Sequence, residues 1–221
     1  MNSNWPLVLD ISRNVALIGM GAYLTTRLPA IRRALTQSEF RVRDQLILAL
    51  IFGGFSAIGN WMGIPVMGSM ANTRIVGPIA GGFIGGPLVG IGAGVIGAIP
   101  RYFMGGYTMW ASVLANVIAG VVSGMAYRLL GFRRLDFRAA FLTGFICELI
   151  LKGMVLAMSK PFEQALEMEK IIAVPTVIAN SIAVVFFVYI VRDVFQEQKK
   201  VQAQSAQQAM RMIQQTTESL R

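Results

Sequence analysis

The sequence predicts an all-α fold, a polytopic transmembrane helical bundle, on three observations. Of 221 residues, 55% are hydrophobic and only 14% charged, whereas soluble domains carry about a quarter charged residues. Apolar stretches near twenty residues, the length a bilayer core demands, recur along the whole chain. Arginines gather in the short connections between those stretches, the positive-inside pattern of a membrane protein rather than a nucleic-acid-binding stripe. A lone stretch could be a buried soluble helix, but such a long succession could not. The expectation is six to seven membrane segments, including a short Gly-rich helical hairpin, with a cytoplasmic signalling helix after them.

The first segment runs from about Pro6 to Arg27, and its Asp10 and Arg13, three apart, share one helix face and can pair. Arg27, Arg32, Arg33, Arg41 and Arg43 form a dense basic connection, which sets that end in the cytoplasm and the N-terminus outside. With no basic n-region and no small-residue cleavage site, the N-terminus does not read as a cleavable signal peptide. The second segment, about Leu46 to Met62, ends in Asn60 and Trp61, the latter suited to the headgroup level. The uncharged stretch Gly63 to Asn72 then lies outside.

From Thr73 to Gly106 glycine recurs so densely that an isolated helix is disfavoured, each Gly costing about 1 kcal/mol against Ala. Within a membrane, small residues four apart, such as Gly82/Gly86 and Gly90/Gly94, let helix backbones approach closely. Gly85-Gly86-Pro87 reads as a helix stop followed by a proline fit for a new first turn. Two short helices follow, roughly Arg74 to Ile84 and Pro87 to Phe103, the first too short to cross undistorted.

The fifth segment, about Thr108 to Leu130, runs inward to a second basic cluster, Arg128, Arg133, Arg134 and Arg138. The sixth, about Ala139 to Met158, carries Glu148 and Lys152; an acidic loop from Lys160 to Lys170 lies outside. The seventh, about Ile171 to Val191, contains Pro175 and Asn180 and runs inward. The division is a transmembrane domain over 1–191 and a cytoplasmic linker over 192–221. In the linker Phe195, Lys199, Gln202, Ala206, Ala209, Ile213, Thr216 and Leu220 alternate by three and four, a weak coiled-coil seam. A disordered polar tail fits the same composition.

Several chemistries are excluded. There is no histidine, a single cysteine (Cys147) and no phosphate-binding GxxxxGK[ST] loop. No catalytic residue, metal site or cofactor is therefore expected in this chain. What remains is electrostatic. The hairpin brings Arg74 and Arg101 to one outer face, where two permanently charged planar forks suit a carboxylate or phosphate. The start of the fifth helix, Gly105 to Thr108, adds free N–H groups and a positive dipole end. Asn72, Ser112 and Asn116 stand near enough in sequence to add hydrogen bonds. A lone terminal arginine reads first as snorkelling to headgroups; two flanking a glycine-rich hairpin shift the reading toward a ligand site. Glu148 and Lys152, spaced i, i+4, read first as mutual neutralisation and second as a transmission pair. Asn180 reads as an interhelical hydrogen-bond donor.

These residues resemble the LytS-type membrane sensor domain of bacterial histidine kinases. The marks are Asn72-x-Arg74 before the glycine run, the Gly85-Gly86-Pro87 break and the Arg101-Tyr102 ending. Weaker matches are the Arg13 region, Cys147-Glu148, and Pro175 with Asn180-Ser181; the tail resembles the helix entering a cytoplasmic GAF domain. The resemblance implies a homodimer in the inner membrane, with GAF, histidine-bearing and ATPase regions following and a LytTR-type response regulator as partner. It also implies a small carboxylate ligand such as pyruvate, with the roles of the two arginines falling on Arg74 and Arg101. Ala115 stands where a further hydroxyl is expected. Two other readings stay open: a solute-binding component of an energy-coupling-factor transporter, and a sensor fused to another output such as a diguanylate cyclase. No nucleic-acid partner is expected.

Overall fold

The structure, a computed structural model, describes residues 19–23, 26–27, 41–130 and 136–219. Apolar sequence with regular backbone pairing gives helix nearly throughout. The helices are α1 (Val42–Trp61), α2 (Val76–Gly85), α3 (Pro87–Met104), α4 (Met109–Leu130), α5 (Phe137–Met158) and α6 (Phe162–Ser219). Between α1 and α2 lie β1 (Ile64–Val66) and β2 (Ser69–Ala71), an antiparallel pair in which Ile64 faces Ala71 and Val66 faces Ser69. The hairpin turns at Met67-Gly68, where φ is positive at both residues, as the tightest hairpin turns require.

Successive long helices alternate in direction, so the bundle has two ends. One end carries the β-hairpin, the α3–α4 turn and the start of α6; the other carries Arg41, Arg43, Arg128 and Arg138. Helices α1, α3, α4, α5 and α6 pack in that order around α2, which touches them all. Helical residues 19–23 sit between α1 and α6: Gly21 faces Phe55, Gly19 faces Phe186, and Ala22 is fully buried. Phe52, Ile79, Phe83, Val184 and Phe187 fill the central apolar core.

Every residue of α2 is buried. Its ten residues rise about 15 Å, half a hydrocarbon core, so it is an internal helix. It ends where Gly86, at φ 79°, reverses the chain and Pro87 opens α3. Small residues set the α3–α4 spacing: a Cβ on Gly120 would strike the carbonyl oxygen of Gly90, and one on Gly90 would lie 2.9 Å from Gly82 Cα.

Among the described residues five helices are long and apolar enough to cross a membrane: α1, α3, α4, α5 and the Phe162–Asp193 part of α6. Most of the expected first segment lies outside the described residues, as do Asp10, Arg13, Arg32, Arg33, Arg133 and Arg134. One expectation needs correction. Lys160 to Lys170 is not an open loop, because α6 already begins at Phe162. Ala165, Met168 and Ile172 recur at helical spacing and are buried against Leu151 and Val155 of α5, which draws the acidic stretch into the bundle. Gly63 to Asn72 is the β-hairpin, three residues per strand being too few to declare themselves in sequence. The polar tail continues α6 as helix to Ser219. Of the expected seam, Ala209 is exposed, and the side chains at the other seven positions lie outside the described residues.

Candidate functional site

Arg74 sits in the connection between β2 and α2, two residues after Asn72, and donates from Nη1 to Asn72 Oδ1 at 2.6 Å. Arg101, in the last turn of α3, donates from Nη1 to the carbonyl oxygen of Gly105 at 2.7 Å and from Nη2 to Thr108 Oγ1 at 2.7 Å. Thr108 Oγ1 also lies 2.7 Å from Ser69 Oγ, so the α3–α4 turn and the β-hairpin are fastened over the arginine. Arg74 is only 4% exposed and Arg101 2%. Both therefore point into the protein and do not snorkel. Each keeps a buried Nε–H that has no hydrogen-bond partner among the described residues. Arg74 stands outside the spanning helices, and burial first, then the charge of Arg101, lowers it to about 10; it stays charged at neutral pH.

Beneath the hairpin is a small polar cavity, about 20 Å³ open to the centre of a water molecule, on the order of one or two waters. Asn72 and Arg74 line it from the connection before α2, Ser69 from the hairpin, and Thr108 and Ser112 from the start of α4. The opposite wall belongs to Glu148 and Lys152 of α5 and to Glu169, Thr176 and Asn180 of α6. Lys152 Nζ lies 3.8 Å from Glu148 Oε2 and 3.3 Å from Glu169 Oε2, one ammonium shared by two buried carboxylates. Glu148 Oε1 accepts from Asn180 Nδ2 at 2.6 Å, and the same amide donates to the carbonyl oxygen of Asn72 at 3.1 Å. Of the charged side chains that line the cavity, Arg74 and Lys152 face Glu148 and Glu169, and Arg101 adds a positive charge behind Thr108. Such a pocket can hold a small anion through buried, charge-assisted hydrogen bonds.

The family described as 5TMR of 5TMR-LYT matches residues 28–194. The chain belongs to that family. It is a multi-pass membrane protein and a membrane sensor domain of the LytS type. Sensor histidine kinase BtsS of Escherichia coli (strain K12) is 30% identical over 193 residues, covering 85% of this chain and 34% of the relative. Sensor protein LytS of Bacillus subtilis (strain 168) is 28% identical over 228 residues, 95% of this chain and 38% of the relative. Sensor histidine kinase YpdA of Escherichia coli (strain K12) is 27% identical over 212 residues, 95% of this chain and 37% of the relative. The chain thus spans about a third of the length of these relatives. No solved structure matches it.

Within this 5TMR domain the expected ligand residues divide. Arg74, Asn72, Thr108 and Ser112 line the cavity, and Arg101 stands behind Thr108. Asn116 does not join them. Its amide donates to Ser56 Oγ at 3.1 Å and to the carbonyl oxygen of Gly94 at 3.0 Å, so it stitches α4 to α1 and α3. Ala115, at the position of the expected hydroxyl, is buried in an apolar cluster with Leu151 and Val155. Gly85, Gly86 and Pro87 form the α2–α3 turn at the opposite end of α3 from Arg101. Glu148, Lys152 and Asn180, read from sequence as structural or transmission residues, line the cavity itself. Glu169 and Thr176 were missed. Their signal is a polar stripe: Glu169, Thr176 and Asn180 are seven and four apart, one face of a helix, but legible only if α6 starts before Lys170.

Proposed function

We propose that this 5TMR domain is the sensory part of a two-component histidine kinase and detects a small extracellular carboxylate of the size of pyruvate. The carrying observation is a pair of buried arginines, Arg74 lining a small polar cavity and Arg101 behind its Thr108, each with an Nε–H that has no partner among the described residues. A buried donor without a partner costs about 1–3 kcal/mol, and an anion accepting from it recovers that cost. The excess of basic residues at the other end supports an orientation with the hairpin outside and the C-terminal part of α6 in the cytoplasm.

As it stands the cavity is smaller than a three-carbon acid, so the ligand must displace Lys152 or a neighbouring side chain on entering. That displacement loosens the Lys152–Glu169 link between α5 and α6, and α6 carries the change to a dimeric kinase region and a LytTR-type response regulator. The ligand shifts the equilibrium only by as much as it prefers the loosened state. A transport component is the weaker reading, because α6 runs 26 residues beyond Asp193, about 40 Å of helix that a solute carrier has no use for.

The test is calorimetric titration of the purified chain with pyruvate. The wild type is expected to bind, and Arg74→Ala and Arg101→Ala to bind at least about tenfold more weakly, a loss of about 1.4 kcal/mol or more. Equal binding by all three overturns the site; absence of binding by the wild type overturns the ligand class.

A further inference from the structure

The arginines explain why an anion enters, but not why the far wall of the same cavity is built from two carboxylates. Glu148 is 1% exposed and Glu169 5%, on different helices, and each turns an oxygen toward Lys152 Nζ. Simple attraction of anions would be served better by Lys152 alone. Burying two carboxylates is costly unless they are paired, and a single ammonium neutralises only one of them. The remaining negative charge stands opposite Arg74, which lines the near wall.

We propose that Glu148 and Glu169 are the specificity-determining residues of this site and restrict it to monoanions. The inference rests on the carboxylate reading above and adds which carboxylates are admitted. One carboxylate group of the ligand is held near Arg74 and Thr108. The rest of a three-carbon molecule then reaches the Glu148–Lys152–Glu169 wall, where it finds the Lys152 ammonium as a donor and two carboxylates as like charges. A keto or hydroxyl oxygen is accepted there. A second carboxylate there meets two like charges at short range with a single ammonium between them, and like-charge juxtaposition opposes its binding.

The experiment compares pyruvate with malonate, an acid of the same carbon count that is a dianion at neutral pH, by calorimetry on the purified chain. Wild type is expected to prefer pyruvate by at least about tenfold. In Glu169→Gln and, separately, Glu148→Gln, the malonate-to-pyruvate affinity ratio is expected to rise about tenfold. Asn180→Ala, which alters the same wall without changing its charge, is expected to weaken both ligands by the same factor. Wild type binding both acids equally overturns the proposal with no variant needed. An unchanged ratio in the folded glutamine variants overturns it too, while leaving the carboxylate reading intact. Binding of neither acid by the wild type removes the carboxylate reading and this inference with it.

Discussion

At the scale of single residues, the amide of Asn180 joins three parts of the bundle. Its Nδ2 donates to Glu148 on α5 and to the backbone of Asn72 ahead of α2, from a position on α6. Asn72 Nδ2 in turn reaches Asn60 Oδ1 at 3.4 Å, and Asn60 Nδ2 donates to the carbonyl oxygen of Gly97 on α3 at 2.8 Å. A chain of amides thus runs from α6 through the connection before α2 to α1 and α3. Removing Asn180 leaves a buried carboxylate oxygen and a carbonyl short of a donor, a penalty of about 1–3 kcal/mol. Asn180→Ala is therefore expected to lower the thermal midpoint of the purified chain. Asn180→Asp removes the same donor and adds a charge beside Glu148, and it is expected to be worse. A midpoint for Asn180→Ala equal to wild type would show that the amide chain carries no weight.

At the scale of elements, the glycines that make α2 and α3 poor helices in isolation are what let α2 sit inside the ring. Gly120 packs against the Gly90 backbone so closely that α3 and α4 must separate to admit a methyl group. At Gly153, on α5, an added Cβ would meet nothing within 4 Å. Overpacking costs about 1–3 kcal/mol, whereas Gly to Ala in an open helical position gains up to about 1 kcal/mol. Gly120→Ala is expected to lower the thermal midpoint and Gly153→Ala to leave it unchanged or raise it; a reversed order refutes the close-packing argument. In α6, Pro175 withdraws one backbone donor among the site residues, and Thr176 Oγ1 turns back to the carbonyl oxygen of Ile172 at 2.7 Å. A missing backbone donor thus falls between Glu169 and Asn180, the kind of position at which helices bend.

At the scale of the whole molecule, the prediction concerns orientation. In a Cys147→Ala background, Glu163→Cys in the first turn of α6 and Arg138→Cys in the first turn of α5 report on opposite ends of the bundle. A membrane-impermeant thiol reagent applied to intact cells is expected to label the first and not the second. The reverse pattern would put the ligand cavity on the cytoplasmic side and remove the extracellular sensing reading.

Legibility differed by element. Gly85-Gly86-Pro87, the ends of α3 and α4, and the placement of Arg74 and Arg101 at one end of the bundle were open to reading, because helix punctuation and membrane length are local properties. The wall formed by Glu148, Lys152, Glu169 and Asn180 was not. An i, i+4 acid–base pair looks self-sufficient along α5, and only the packing of α6 against it supplies the second carboxylate and the amide. Asn116 failed in the opposite sense: it lies two turns into α4, on the face toward the site in sequence, yet α1 and α3 approach closely enough to take its donors.

By itself the sequence determined a membrane-spanning helical chain, with basic residues gathered at one end and two arginines bracketing a glycine-rich hairpin. Hydrophobicity, charge placement and backbone punctuation act over one or two turns and need no partner to be read. Only the tertiary structure decided that α2 is wholly interior, that the arginines face inward, and that two glutamates share one lysine across a cavity. Those facts depend on which helices become neighbours, and that is settled by side-chain volumes meeting across interfaces between residues as much as 108 positions apart in the chain.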